Sequence, residues 1–183
     1  MTHGRLHQLM EAMRERCLVR FSRRFEQSKC HGYVLDVGSK FFLFGLVTDR
    51  IWLDGFECFR INDVSNLKPD PHAEFVEAAL KKRGERTWKK PRVNVQSIGE
   101  LIRTAGRAFP LATIHREQID PNVCWIGHVV DVQARYVSLL EINPAAIWDK
   151  KPNKYRLGQI TRVSFGGDYE KALYLVGGDP AAG

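Results

Sequence analysis

Three features of this sequence predict a mainly β fold with flanking helices, arranged as two tandem small β-barrels of SH3-like layout. The first is an internal repeat in which residues 30–84 align with 124–178 at an offset of 94–96. The second is the character of the repeated stretches: Phe41–Phe44 and Tyr136–Leu140 are rich in aromatic and branched residues, which favour strands. The third is the closely spaced turn residues, which suit a small, strongly bent barrel that removes its exposed edges by closing on itself. An open two-layer α+β sheet is the alternative architecture.

The repeat is collinear. Gly32-Tyr33-Val34-Leu35-Asp36-Val37 lines up with Gly127-His128-Val129-Val130-Asp131-Val132, and Phe59-Arg60-Ile61 with Tyr155-Arg156-Leu157. Val64 and Leu67 match Ile160 and Val163, Glu74-Phe75 matches Asp168-Tyr169, and Gly84 matches Gly178. Ahead of each copy lies an amphipathic helical spacing. Its apolar positions are Leu6, Leu9, Met10, Met13 and Cys17 in the first copy, and Ile98, Leu101, Ile102, Ala105 and Phe109 in the second. Ser97 with Glu100 three residues on reads as a capping box for the second helix.

Short extended stretches follow the helices, Leu18–Phe25 and Leu111–His115. In the first copy Asp54-Gly55, between Ile51–Leu53 and Phe56–Phe59, predicts a tight hairpin, because a type I′ turn needs positive φ at both positions. The second copy has the longer Asn143–Asn153 loop there. Each copy closes with a short helix, Ala73–Lys82 after Pro69 and Pro71, and Tyr169–Val176. The expected organisation is a first helix-plus-barrel unit over 1–84, a basic linker over 85–96 and a second unit over 97–183.

Charge is concentrated. The chain has 183 residues and a net charge of +7, yet residues 81–92 alone carry seven basic side chains against one acidic. Lys81, Lys82, Arg83, Arg86, Lys89, Lys90 and Arg92 can neutralise phosphates and release counterions, and Trp88 offers a face for base stacking. These eight residues are the candidate site for single-stranded nucleic acid; the plainer reading is a solvated interdomain linker. Arg14, Arg16, Arg20, Arg23 and Arg24 form a second cluster, read as the charged outer face of a helix and an edge strand.

Other classes find little support. The longest apolar run, Phe41–Val47, is far short of the ~20 residues of a membrane-spanning helix, and Met1–Arg16 lacks a signal peptide's apolar stretch. Cys17, Cys30, Cys58 and Cys124 form no CxxC pair and read as reduced thiols of a cytoplasmic protein. Cys124 and His128, four apart on a strand, would lie ~13 Å apart, too far for one metal ion. There is no GxSxG, P-loop, GxGxxG or HExxH motif, and no catalytic residue or cofactor is assigned. The repeated carboxylates Asp36 and Asp131 would do acid–base work only if packing brought them together; a turn-capping role is the plainer reading.

Taken together, Gly32-x-Val34, Gly127-x-Val129, Ile61–Leu67 and Leu157–Val163 resemble the Sm-like barrel, the fold of Sm, Lsm and Hfq proteins, in tandem. The glycines stand where that family bends its second strand, and the later segments resemble its final strand pair across a tight turn. Arg156–Gly166 also resembles the closing segment of uncharacterised bacterial proteins. The family's RNA-binding loop motif, an Asp followed by Met-Asn, is replaced by Gly38-Ser39-Lys40 and Gln133-Ala134-Arg135. Its Arg-Gly pair is replaced by Arg60-Ile61 and Arg156-Leu157. The resemblance therefore implies the fold and leaves the RNA pocket to other residues. The expected function is a non-enzymatic binding protein with single-stranded nucleic acid as ligand, or a structural module that holds protein partners or a second copy of itself.

Overall fold

A computed structural model describes residues 2–85 and 89–180, with side chains from Gly4 onward. The first half runs α1 (Thr2–Glu15), β1 (Leu18–Arg23), β2 (Cys30–Val37), β3 (Phe41–Val47), β4 (Leu53–Arg60), β5 (Val64–Pro69) and α2 (Ala73–Lys82). The second repeats that order as α3 (Ile98–Ala108), β6 (Ala112–His115), β7 (Cys124–Val132), β8 (Tyr136–Glu141), β9 (Asn153–Arg156), β10 (Arg162–Phe165) and α4 (Asp168–Gly177). A one-turn 3-10 helix precedes the last strand of each half, at Ile61–Asp63 and Leu157–Gln159. Ser97 caps α3 as its spacing predicts, its hydroxyl accepting the Glu100 N–H at 3.2 Å.

Repetition extends to the register. In the first half β5 pairs with β1, and β1 to β4 follow in sequence; in the second, β10 pairs with β6, and β6 to β9 follow. Asp36 lies opposite Leu43 and Asp131 opposite Ser138, each just past a β-bulge at the same place, between Val34 and Asp36 and between Val129 and Asp131. The turns match as well: Gly38 N–H bonds Phe41 O where Gln133 N–H bonds Tyr136 O, both at 2.8 Å. Ile61 N–H bonds Lys40 O where Leu157 N–H bonds Arg135 O, both at 2.9 Å.

The two halves do not close on themselves. Among the described residues the ten strands form one open antiparallel sheet, because β4 takes β10 of the other half as its neighbour. The closed barrels expected from the sequence are thus replaced by a continuous sheet whose seam is β4·β10 and whose free edges are β5 and β9. Residues 91–96 also depart from a solvated linker, since Val93 and Val95 are buried in the core.

This seam explains why Phe41–Val47 is apolar on both faces, a pattern typical of doubly covered strands. Phe42 and Phe44 point with Phe21 and Phe59 under α1, where the four rings meet at centroid distances of 5.1–6.1 Å. Phe41 and Leu43 point the other way, into a core shared with Leu101, Ile102, Val137, Leu139, Val163 and Phe165. Phe41 is thus covered by the second half, and Phe42 and Phe44 by α1 of their own half.

The Asp54-Gly55 hairpin is corrected. Both residues lie within β4, and the chain reverses over Thr48–Trp52, where Ile51 takes φ 59°. Gly55, at φ 66°, instead lets β4 pass the backbone of Gly167: a Cβ there would lie 2.4 Å from Gly167 N. Asp54 then caps α4 by accepting the Asp168 N–H at 2.7 Å.

Gly32 and Gly127 bend the second strand of each half so closely over the third that an added Cβ would lie 2.1 Å from Gly45 O or Leu140 O. Gly127→Ala must push two paired strands apart, so it should destabilise the fold by about 2 kcal/mol or more. Urea unfolding measures this; an unchanged midpoint would contradict the close approach.

Candidate nucleic-acid interface

The basic segment divides in the structure. Lys81 and Lys82 end α2 and are exposed. Arg83 is committed to the fold: its guanidinium donates to Arg50 O and Ile51 O at 2.8 and 2.7 Å and lies 4.6 Å from the Trp52 ring centroid. Arg86 and Trp88 lie outside the described residues. Lys89 and Arg92 are exposed, while Lys90 pairs with Asp36 at 2.6 Å.

The described ends of the segment meet around one ring. Lys81, Glu77 and Glu85 line a depression of about 530 Å³, and Lys89 and Lys90 line another of about 580 Å³; both include Arg16 and the half-buried Tyr33. Burial, with Glu77 beside it, pushes the Tyr33 hydroxyl up to about 12. From Lys90 the chain lies down against β2 and its turn: Val95 O touches Gly38, and Gln96 O accepts from Ser39 Oγ at 3.4 Å.

That path leads to a groove which sequence reasoning did not single out. It measures about 750 Å³ and lies between the start of α3, the β7–β8 turn and the Leu157–Gln159 helix. Arg135 and Arg156 are exposed on its walls, and Arg103 bridges Glu100 and Val132 O. Arg60 of the first half reaches this end of the second, donating to Gly158 O at 2.7 Å. A signal was present, since Arg135 and Arg156 stand in the two turns compared with the RNA-binding loops above.

Asp36 and Asp131 serve locally. Asp36 accepts the Val37 N–H at 3.0 Å and pairs with Lys90, and Asp131 accepts from Gln133 Nε2 at 3.0 Å. The histidines beside the strand glycines are held separately: His31 Nδ1 lies 2.6 Å from Asp70 Oδ2, and His128 Nδ1 3.3 Å from Pro110 O.

Behind the seam sits a buried charge network. Arg23 forks onto Glu117 at 3.0 and 2.5 Å and reaches Glu26 at 2.9 Å; Arg162 forks onto Glu57 at 2.6 and 2.7 Å and reaches Glu26 at 2.6 Å. Thr161 donates to Glu117 and Ser164 to Glu57, both at 2.7 Å. Burial opposes the charge of Arg162, but Glu57 and Glu26 outweigh it and hold the guanidinium protonated. Burial raises the Glu57 carboxyl, with Arg162 and Ser164 opposing.

Ser164 Oγ also lies 3.4 Å from His115 Nε2, in a cavity of about 180 Å³. His115 is a poor base for that hydroxyl. The hydroxyl is bonded to Glu57, and burial with Arg162 and Arg23 pushes His115 down to about 2, leaving a feeble base. Folded His115 stays neutral where the unfolded chain takes up a proton. Stability from this group is therefore present above about pH 6.5 and lost on acidification, by about 1.4 kcal/mol per pH unit. His115→Gln should remove about 2–3 kcal/mol of the stability difference between pH 6.5 and 4.5 in urea titrations; an unaltered slope would show that folded His115 protonates.

Among the described residues no three His, Cys, Asp or Glu side chains are placed to hold a metal ion, and no helix is long and apolar enough to cross a membrane. The four cysteines are free thiols. No family model, curated protein or solved structure matches the chain.

Proposed function

We propose that this chain is a non-enzymatic binding protein made of two Sm-like units, and that its ligand is single-stranded nucleic acid. The fold part rests on the repeated strand order, the bent second strand and the 3-10 turn before the last strand of each half. The ligand part rests on one observation above all. Residues 89–97 lie along β2 and its turn and end in the groove, so the exposed cations Lys89 and Arg92 precede Arg135 and Arg156 on one path. A phosphate backbone can follow that path, with the Tyr33 ring beside its start as a stacking face.

The test is fluorescence anisotropy with a labelled 20-nucleotide single-stranded RNA and its DNA counterpart between 50 and 200 mM salt. Binding should weaken steeply with salt, and removing one phosphate-binding cation should reduce the log–log slope by about 0.7. Lys89→Glu with Arg92→Glu, and Arg135→Glu with Arg156→Glu, should each reduce affinity at least tenfold on the same slope argument. No binding at 50 mM salt would overturn the reading.

A further inference from the structure

The duplication lets one half serve as a template for the other. Arg23 ends β1 and Arg116 comes directly after β6, at an offset of 93. Arg23 lies 4.5 Å from the Phe59 ring centroid; Arg116 lies 4.9 Å from that of Tyr155, the counterpart of Phe59, and 4.1 Å from that of Trp125. The arginines differ in one respect. Arg23 is forked onto the Glu117 carboxylate, which the neighbouring half brings in across the β4·β10 seam. Arg116 has no carboxylate within 4 Å and no side-chain hydrogen bond among the described residues; its Nε is buried without a partner, as is that of Arg23. The aromatic seat is built and the acid is missing.

The missing acid belongs beside a missing strand. β4 is covered by β10, whereas its counterpart β9 has β8 on one side and no strand on the other among the described residues. Around that edge Lys150, Lys151, Lys154 and Arg156 are exposed. Of the nearby carboxylates, Glu141 is engaged with Tyr155 and Asn153, and Asp149 with Asn153.

We propose that the open edge of β9, with Arg116 seated behind it on Trp125 and Tyr155, receives an extended acidic segment of a partner protein, which adds as an eleventh antiparallel strand in the way β10 adds to β4. Backbone hydrogen bonds along the edge supply affinity, and the carboxylate on Arg116 supplies selection. The proposal does not rest on the nucleic-acid reading, although Arg156 borders both surfaces.

A second copy of this chain does not fit. In the equivalent register its free edge β5 would set Leu67 against Lys154 and bring Lys68 to Asn153. Pro69, which has no N–H, would fall at Pro152, and Asn66 kinks β5 with φ 55°. The residue at the place of Glu117 would be Arg24, a cation against Arg116. Lys and Pro on exposed edges are the usual devices against self-pairing.

The experiment uses the full chain and a labelled octapeptide of alternating Glu and Val. NMR should show shifts concentrated on the amides of residues 153–156 and on the Trp125 side chain. Arg116→Gln should weaken binding at least tenfold, Arg116→Lys should recover only part of it, and N-methylation of alternate peptide amides should abolish it. A peptide with Lys for Glu should not bind, and sedimentation of the chain alone should give a monomer. Failure of the Glu peptide to bind, or binding indifferent to Arg116→Gln or N-methylation, would overturn the proposal. So would single-stranded RNA producing the same shifts on the Trp125 side chain and residues 153–155, or a dimer joined through β5 and β9. Loss of RNA binding with peptide binding intact would sink the nucleic-acid reading alone.

Discussion

Arg162→Leu should destabilise the protein by about 3–5 kcal/mol, because it leaves Glu57 buried opposite an apolar side chain and deprives Glu26 of one partner. For a chain of this size that is a fall in Tm on the order of 10 °C. The loss would come from stranded carboxylates more than from the attraction removed, so a partner substitution should repair it. Glu57→Leu in the same chain should recover most of the stability, since a buried pair replaced by apolar residues is often neutral. Ser164 would still lack the acceptor its hydroxyl now uses, which sets the residue of the deficit. Circular dichroism during chemical denaturation of the four chains gives the coupling directly. A single variant as stable as the parent would mean that the network contributes nothing to the seam.

Phe44→Ala should cost about 3–5 kcal/mol, the usual range for an aromatic side chain removed from a closed core. Phe44 is 0% exposed and packs edge-on to Phe21, Phe42 and Phe59. The more informative part of the expectation concerns the other half. Phe41 and Leu43, on the opposite face of β3, belong to the core that holds Val137, Leu139 and Phe165. The variant should therefore melt in one transition, with the fluorescence of Trp125 and Trp148 lost at the same lowered temperature as the far-ultraviolet signal. A second half that melts at the parental temperature would show that the cores are separate.

The sequence carried the repeated unit well and the join poorly, for a physical reason. Amphipathic spacing, strand composition and the strand glycines are local signals, and they placed α1 to α4 and the bent strands close to where they lie. Which strand lies beside β4 is a long-range choice between β5 and β10, whose local patterns are alike by descent. The buried charges were missed for the same cause. Arg23 sits in a run of arginines that reads as solvent-facing, and its carboxylate, Glu117, is 94 residues away. Asp54-Gly55 misled because positive φ at a glycine serves a close backbone crossing as well as a turn. Of the basic segment, composition could not show that Arg83 and Lys90 are held by the fold while Lys89 and Arg92 are free to meet a ligand.

Both binding proposals require the halves to be joined edge to edge through β4 and β10. Nuclear Overhauser contacts between the backbone protons of residues 56–59 and 162–165 interrogate that union without reference to any ligand. The β4·β10 seam requires contacts pairing Cys58 with Val163 and Phe56 with Phe165, together with slow amide exchange on both strands. Rapid exchange along 162–165 on the side away from β6, with no contact to 56–59, would contradict it.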